Sequence, residues 1–239
     1  YYSKSVKTQV VIHREIMGDD EYAIPLIGDV DGNGIDDVTT WQPEGGRWSI
    51  VYDSGQSTSF TLGEKGDYPF LADRDGDGKA DPMIRRPSSG VWYYLSSSNG
   101  YSDNSFSFGS QATDIPTLGH YDSDGKIDFG IWRNGTWYMR WSSDNVTRTK
   151  ALGTQSTDIP VPADYDGDGI TDVAIWRSMT GKWYIYYSSG VYPEGGTRYE
   201  RVFGSQSSDE PVPADYDGDG KADLAIRRPA SFEFIYLSS

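Results

Sequence analysis

Residues 163–177 read ADYDGDGITDVAIWR: Asp164, Asp166, Asp168 and Asp172 crowd one short loop, Gly167 and Gly169 stand between them, and the chain then turns abruptly apolar. Carboxylates this close repel one another unless a positive partner offsets them. The pattern recurs as GDVDGNGIDDVTTWQ at 28–42, ADRDGDGKADPMIRR at 72–86, GHYDSDGKIDFGIWR at 119–133 and ADYDGDGKADLAIRR at 214–228. The first loop positions, Asp29, Asp73, His120, Asp164 and Asp215, lie 44, 47, 44 and 51 residues apart. Such a period is the size of one supersecondary unit of a repeat protein.

The flanks repeat as well. Four residues before each first position stands a proline (Pro25, Pro69, Pro116, Pro160, Pro211), and six or seven before that a glycine ends an alternating segment (Gly18, Gly63, Gly109, Gly153, Gly204). After each loop come a short apolar run, a turn rich in Gly, Pro and Ser, and an aromatic run such as VWYYLSS at 91–97, WYIYYSS at 183–189 or FIYLSS at 234–239. β-Branched and aromatic residues dominate and no 3.6-residue period persists, so each repeat offers four short strands and the chain is all-β. Four-stranded units of this length predict a five-bladed β-propeller spanning 1–239, with repeats at about 19–63, 64–109, 110–153, 154–204 and 205–239. Trp48, Trp92, Trp137 and Trp183, with Phe234 in the fifth repeat, recur at the start of the third strand and read as core between blades.

The fifth repeat stops at FEFIYLSS, one strand short, and residues 8–18 resemble the strand that precedes each other repeat. They are expected to complete the last blade after a tail at 1–7, closing the ring without an exposed sheet edge. A piece of a larger ring is the competing reading. The first residues, YYSKSVKTQ, lack the apolar core of a leader, and no apolar run reaches membrane-spanning length, which is read as a soluble, already trimmed chain without membrane insertion.

The chain carries a net charge of −15 and no cysteine. Nucleic acid and anionic membranes call for basic patches, so both are poor partners, and cations are good ones. In the opening loop Asp164, Asp166, Asp168, the Ile170 carbonyl and Asp172 stand at positions 1, 3, 5, 7 and 9, all hard oxygen donors suited to calcium, with Gly169 permitting the sharp turn. The equivalents are Asp29, Asp31, Asn33, Ile35 and Asp37; Asp73, Asp75, Asp77, Lys79 and Asp81; and Asp215, Asp217, Asp219, Lys221 and Asp223. In the third repeat His120 takes position 1 and leaves Asp122, Asp124, the Lys126 carbonyl and Asp128, so the chain is expected to hold four or five calcium ions, the third site being the doubtful one. Position 12 is Thr40, Ile84, Ile131, Ile175 or Ile226 rather than glutamate, which sets these loops apart from EF-hands. The plainer reading is that Asp and Gly only punctuate turns.

The combination of FGSQ at 203–206, DIPVPADYDGDG at 158–169 and DVAIWR at 172–177 resembles the FG-GAP or VCBS repeat, similar to the calcium-binding blades of integrin α-chain propellers. The resemblance implies a calcium-stabilised propeller of a secreted or cell-surface protein, used in adhesion or glycan binding or appended to extracellular hydrolases. Integrin propellers have seven blades, so a count of five departs from that pattern.

The expected inner strands, IPLIGD, YPFLAD, IPTLGH, IPVPAD and EPVPAD, carry no acid beyond the first loop positions and Glu210, so no catalytic trio is assigned. The residues ending each second strand include Trp41, Arg85, Trp132, Trp176 and Arg227. Indole and guanidinium suit sugar rings and hydroxyls, and the same side chains suit packing between blades, with arginine reaching acids on a neighbour. The chain therefore reads as a monomeric recognition or adhesion module for a glycan or a cell-surface protein, lectin-like and multivalent, rather than as an enzyme. The alternative is an accessory or catalytic domain of an extracellular polysaccharide hydrolase or lyase.

Overall fold

The computed structural model describes residues 23–154, 156–191, 198–204 and 208–239. The chain is all-β and of the propeller class, its strands forming five antiparallel sheets, each laid down in chain order. Blade 1 contains β1 (Ile24–Gly28), β2 (Asp37–Gln42), β3 (Arg47–Val51) and β4 (Ser57–Thr61). Blade 2 contains β5 (Tyr68–Ala72), β6 (Asp81–Arg86), β7 (Val91–Ser96) and β8 (Ser102–Ser107). Blade 3 contains β9 (Ile115–Pro116), β10 (Phe129–Arg133), β11 (Thr136–Arg140) and β12 (Thr147–Ala151). Blade 4 contains β13 (Asp158–Pro160), β14 (Val173–Arg177), β15 (Lys182–Tyr186) and β16 (Tyr199–Val202). Blade 5 contains β17 (Glu210–Pro211), β18 (Leu224–Arg228) and β19 (Glu233–Leu237). The segment 8–17, expected as its fourth strand, lies outside the described residues.

Asp114 marks the boundary of two compact units, the first holding blades 1 and 2 and the second, Ile115–Ser239, holding blades 3 to 5. In the first unit Trp41, Trp48, Ile50, Leu71 and Ile84 form one buried cluster. In the second, one cluster gathers Tyr121, Trp132, Trp137 and Ile175, and another Trp176, Trp183, Ile185, Leu224 and Ile226. Each cluster draws residues from two consecutive blades, so within each unit the core lies between blades as well as inside them.

The expected tryptophan stripe is buried: Trp48, Trp92, Trp137 and Trp183 are all fully enclosed. Burial obliges an indole N–H to find an acceptor, and Trp48, Trp92 and Trp183 donate to the carbonyls of Leu62, Phe108 and Phe203, each just before a repeat glycine. Those glycines are needed because the backbone there turns back on itself. Gly153 has φ +98°, and a Cβ on the facing Gly135 would stand 1.8 Å from its carbonyl oxygen. Phe234 corrects the expectation for the fifth repeat: it is half exposed and packs edge-on against Tyr216, at ring centroids 4.7 Å apart, in a blade with three described strands. Among the described residues no helix is long and apolar enough to cross a membrane.

Candidate metal centres

Each acidic loop joins the first strand of a blade to its second, and its glycines decide its shape. Gly32 and Gly34, Gly76 and Gly78, Gly167 and Gly169, and Gly218 and Gly220 all have positive φ, which glycine adopts without a steric penalty. Their N–H groups then point inward and donate to the position-1 carboxylate at 2.6–3.0 Å. The loop thus wraps around Asp29, Asp73, Asp164 or Asp215.

Position 9 anchors the loop to the blade. One oxygen of Asp37, Asp81, Asp128, Asp172 and Asp223 accepts the N–H of position 2 at 2.8–2.9 Å. The other accepts an N–H just beyond the third strand, from Asp53, Ser97, Ser142, Ser188 or Ser239, at 2.6–3.1 Å. The same strand-end residues meet position 5 with their side chains: the Oγ of Ser97, Ser142, Ser188 and Ser239 donates to Asp77, Asp124, Asp168 and Asp219 at 2.6–3.1 Å. Blade 1 exchanges the roles, Asn33 donating from Nδ2 to Asp53 at 2.7 Å. Sequence reading missed these partners, although the serine pair after the aromatic run of blades 2 to 5 was the available signal.

These contacts hold positions 1, 3 and 9 together. Asp29, Asp31 and Asp37 offer oxygens that all lie within 4.8 Å of one another, and so do Asp73, Asp75 and Asp81; Asp164, Asp166 and Asp172; and Asp215, Asp217 and Asp223. Two oxygens on one calcium ion stand at most about 4.6–5.2 Å apart, twice a bond of 2.3–2.6 Å, so each triad fits a single ion of that size. All-oxygen, all-anionic donors select a hard dication over zinc or copper. Position 5 is not needed for this: Asp77, Asp168 and Asp219 lie outside the triads of their loops.

The electrostatics fit the same reading. Burial pushes Asp172 up to about 8, with Asp166 and Asp164 adding repulsion. Burial also raises Asp164, and it raises Asp81 and Asp128 against the hydrogen bonds they accept. Burial acts on Asp75 and Asp122 too, but hydroxyls of Ser96 and Ser98, and of Ser143, hold them below the usual carboxylate range. A cation among such groups would favour the ionised form of every one.

Loop 3 is built differently. His120 supplies no carboxylate, and its Nδ1 lies 3.0 Å from the Lys126 carbonyl, the oxygen expected at position 7. A carbonyl only accepts, so this nitrogen carries the proton. Ser123 replaces the position-4 glycine and is not among the residues of positive φ. Asp122, Asp124 and Asp128 do not form a triad comparable to the other four. In all five loops position 7 donates its N–H to position 5: Ile35, Lys79, Lys126, Ile170 and Lys221, at 2.8–2.9 Å.

The expected ligand surface is corrected by burial. Trp41, Trp132 and Trp176 are core side chains, their N–H groups donating to the Leu62, Leu152 and Phe203 carbonyls. Arg85 is fully buried; its Nη2 donates to the carbonyls of Gly109 and Gln111 at 3.2 Å and lies 3.7 Å from Asp114. The adjacent arginines do not reach a neighbouring blade: Arg86, Arg177 and Arg228 grip Asp67, Asp158 and Asp209, each at the entry to the first strand of the same blade, at 2.7–3.3 Å. Of the five expected residues Arg227 is the exposed one, paired with Glu210 at 2.9 Å.

No curated protein sequence matches the chain. Among solved structures it is similar to a catalytically inactive virginiamycin B lyase from Staphylococcus aureus with quinupristin (14% identity, TM-score 0.58, covering 91% of this chain and 70% of that one). It is likewise similar to an Agrocybe aegerita lectin that recognises non-reducing terminal N-acetylglucosamine (15% identity, TM-score 0.58, covering 92% of this chain and 61% of that one). At such identities the likeness is one of fold. A family model described as an FG-GAP-like repeat matches residues 164–226, from the first aspartate of the fourth acidic loop to the end of the apolar run after the fifth.

Proposed function

We propose that the chain is a calcium-binding propeller that serves recognition outside the cell, presenting a scaffold for a glycan or a cell-surface protein. The observation that carries this reading is the recurrence of four aspartate triads in register, each compact enough to surround one ion. Calcium, when bound, supplies the positive charge that these carboxylates lack. Positions 1, 3 and 9 would hold it, while position 5 and its strand-end partner keep the loop closed over the site. The FG-GAP-like match over the fourth and fifth loops supports the same assignment. The lectin among the similar folds makes glycans the first ligand class to test.

Calorimetric titration of chelator-stripped protein with calcium is expected to show binding at four sites and a higher melting temperature. A melt unchanged by calcium and by chelator would overturn the metal assignment. Glycan-array retention, run beside an assay for new reducing or unsaturated ends, separates recognition from polysaccharide cleavage: retention without product supports the proposal, and product formation supports the hydrolase or lyase alternative.

A further inference from the structure

A cavity of about 430 Å³ opens beside the acidic loop of blade 3, lined by Tyr121, Asp122, Asp124, Trp141, Ser143 and, from the loop of blade 4, Ile170. Its volume lies in the range of small-molecule sites, roughly 300–1,000 Å³. Trp141 precedes the strand-end serine, a place held by Tyr52, Ser96, Tyr187 and Ser238 in the other blades. One face of its indole is covered by the Arg148 guanidinium, 3.6 Å from the ring centroid, and Asp144 fixes that guanidinium with bonds of 2.8 and 3.1 Å. The ring is therefore held in place while its remaining surface lines the cavity.

The polar groups of the cavity are also arranged for a ligand. The Trp141 Nε1–H is buried and has no acceptor among the described residues, a state that costs free energy. Trp41, Trp48, Trp92, Trp132, Trp176 and Trp183 all donate to a backbone carbonyl instead. Trp137 shares the unmet donor but is sealed in the core, so Trp141 is the one set at a cavity. Asp122 and Asp124 are not drawn into a triad in this loop, and each takes one serine hydroxyl at 2.7 Å, from Ser143 and Ser142. A carboxylate has lone pairs for further donors.

We propose that this cavity binds one hexose unit of an uncharged or amine-bearing glycan, the indole taking the apolar CH face and Asp122 and Asp124 accepting hydroxyl or ammonium protons. The indole supplies apolar area at little conformational cost, and the carboxylates impose selection by charge. Uronate and sulfated units are repelled. The inference rests on the glycan-recognition reading above and locates its binding surface on blade 3 rather than on the buried Trp132 and Trp176.

The test compares the full chain with Trp141→Ala and Ser123→Arg on an array of neutral, amino and uronic-acid oligosaccharides, with a thermal melt of each protein. Ser123 is an exposed residue at the cavity, so its replacement blocks entry without opening the core and serves if Trp141→Ala does not fold. The expected result is retention of neutral or amino glycans by the parent and at least about tenfold weaker retention by a folded variant. Parent and variants binding alike would overturn the cavity assignment and leave glycan recognition standing. Retention confined to acidic glycans would also overturn it, and a parent that retains no glycan would overturn both.

Discussion

His120 Nδ1 donates to the Lys126 carbonyl across 3.0 Å, so loop 3 is closed by a hydrogen bond where the other four loops converge three carboxylates. A side-chain N–H thus stands against the oxygen that a cation would otherwise ligate. His120→Asp removes that donor and returns a carboxylate to position 1, and Ser123→Gly restores the backbone freedom that position 4 uses in the other loops. The double variant is expected to raise the calorimetric calcium stoichiometry by one, and His120→Asp alone to add a weaker site. Unchanged stoichiometry in both would show that loop 3 is closed to metal for another reason.

Asn33 and Asp53 exchange the roles of the aspartate and serine of the other blades, at 2.7 Å. Asn33→Asp sets two carboxylates face to face and should lower stability in chelator by about 1 kcal/mol, or roughly 2–4 °C in melting temperature for a chain of this size. Adding Asp53→Ser rebuilds the pair found in the other blades and should recover the loss. The double-mutant cycle is expected to show coupling of about 0.5–3 kcal/mol. Additive effects would mean that the two side chains do not interact.

Calcium should reverse the pH dependence of stability. In chelator, Asp172 with a pKa of about 8 holds a proton in the folded state that the unfolded chain has lost. Its contribution is therefore full below the unfolded value, about 3.9, and is lost as pH rises through about 8. Asp81, Asp128 and Asp164 shift in the same direction. Asp75, Asp122 and Asp219 are lowered, so their contributions are lost only in more acidic solution. Melting temperatures in chelator should fall from about pH 5 to about pH 8, while in millimolar calcium, which requires ionised ligands, they should rise. A slope of the same sign in both conditions would refute this linkage.

Asp158 is buried, receives Arg177 Nε at 2.7 Å and Nη2 at 3.1 Å, and also accepts the Thr154 N–H at 2.8 Å. Asp158→Ala strands a backbone donor and a partly buried guanidinium. The expected loss is about 2–4 kcal/mol, read by denaturant unfolding, with calcium affinity at the fourth loop unchanged. A loss below about 0.5 kcal/mol would show that the grip is dispensable.

The loops and blades were legible in the sequence because their signals are local. Asp at alternate positions, Gly at the turns and Pro before the loop each act within a few residues, and the five-fold recurrence made the strand count plain. Trp41, Trp132 and Trp176 were harder, since a tryptophan at a strand end suits either a ligand or a core, and the packing of the following strand decides which. The pairing of Asp158 with Arg177 spans 19 residues, and that of Asn33 with Asp53 spans 20. Both depend on hairpin register, which composition alone does not display. Phe234 shared the spacing of the buried stripe, but in blade 5 the described strands leave it half exposed.

Successive loops are also joined through their backbones. Ala80 donates its N–H to the Asp29 carbonyl at 2.6 Å, Thr171 to His120 at 2.7 Å, and Ala222 to Asp164 at 2.7 Å. In these three links the later blade gives the donor and the earlier blade the acceptor, so two copies of one blade cannot satisfy each other by facing. Blade 4 excised alone would expose the unpaired N–H of Thr171 on one flank and the unpaired carbonyl of Asp164 on the other. The module therefore has a direction of growth, and duplication in tandem is the arrangement that preserves its joints.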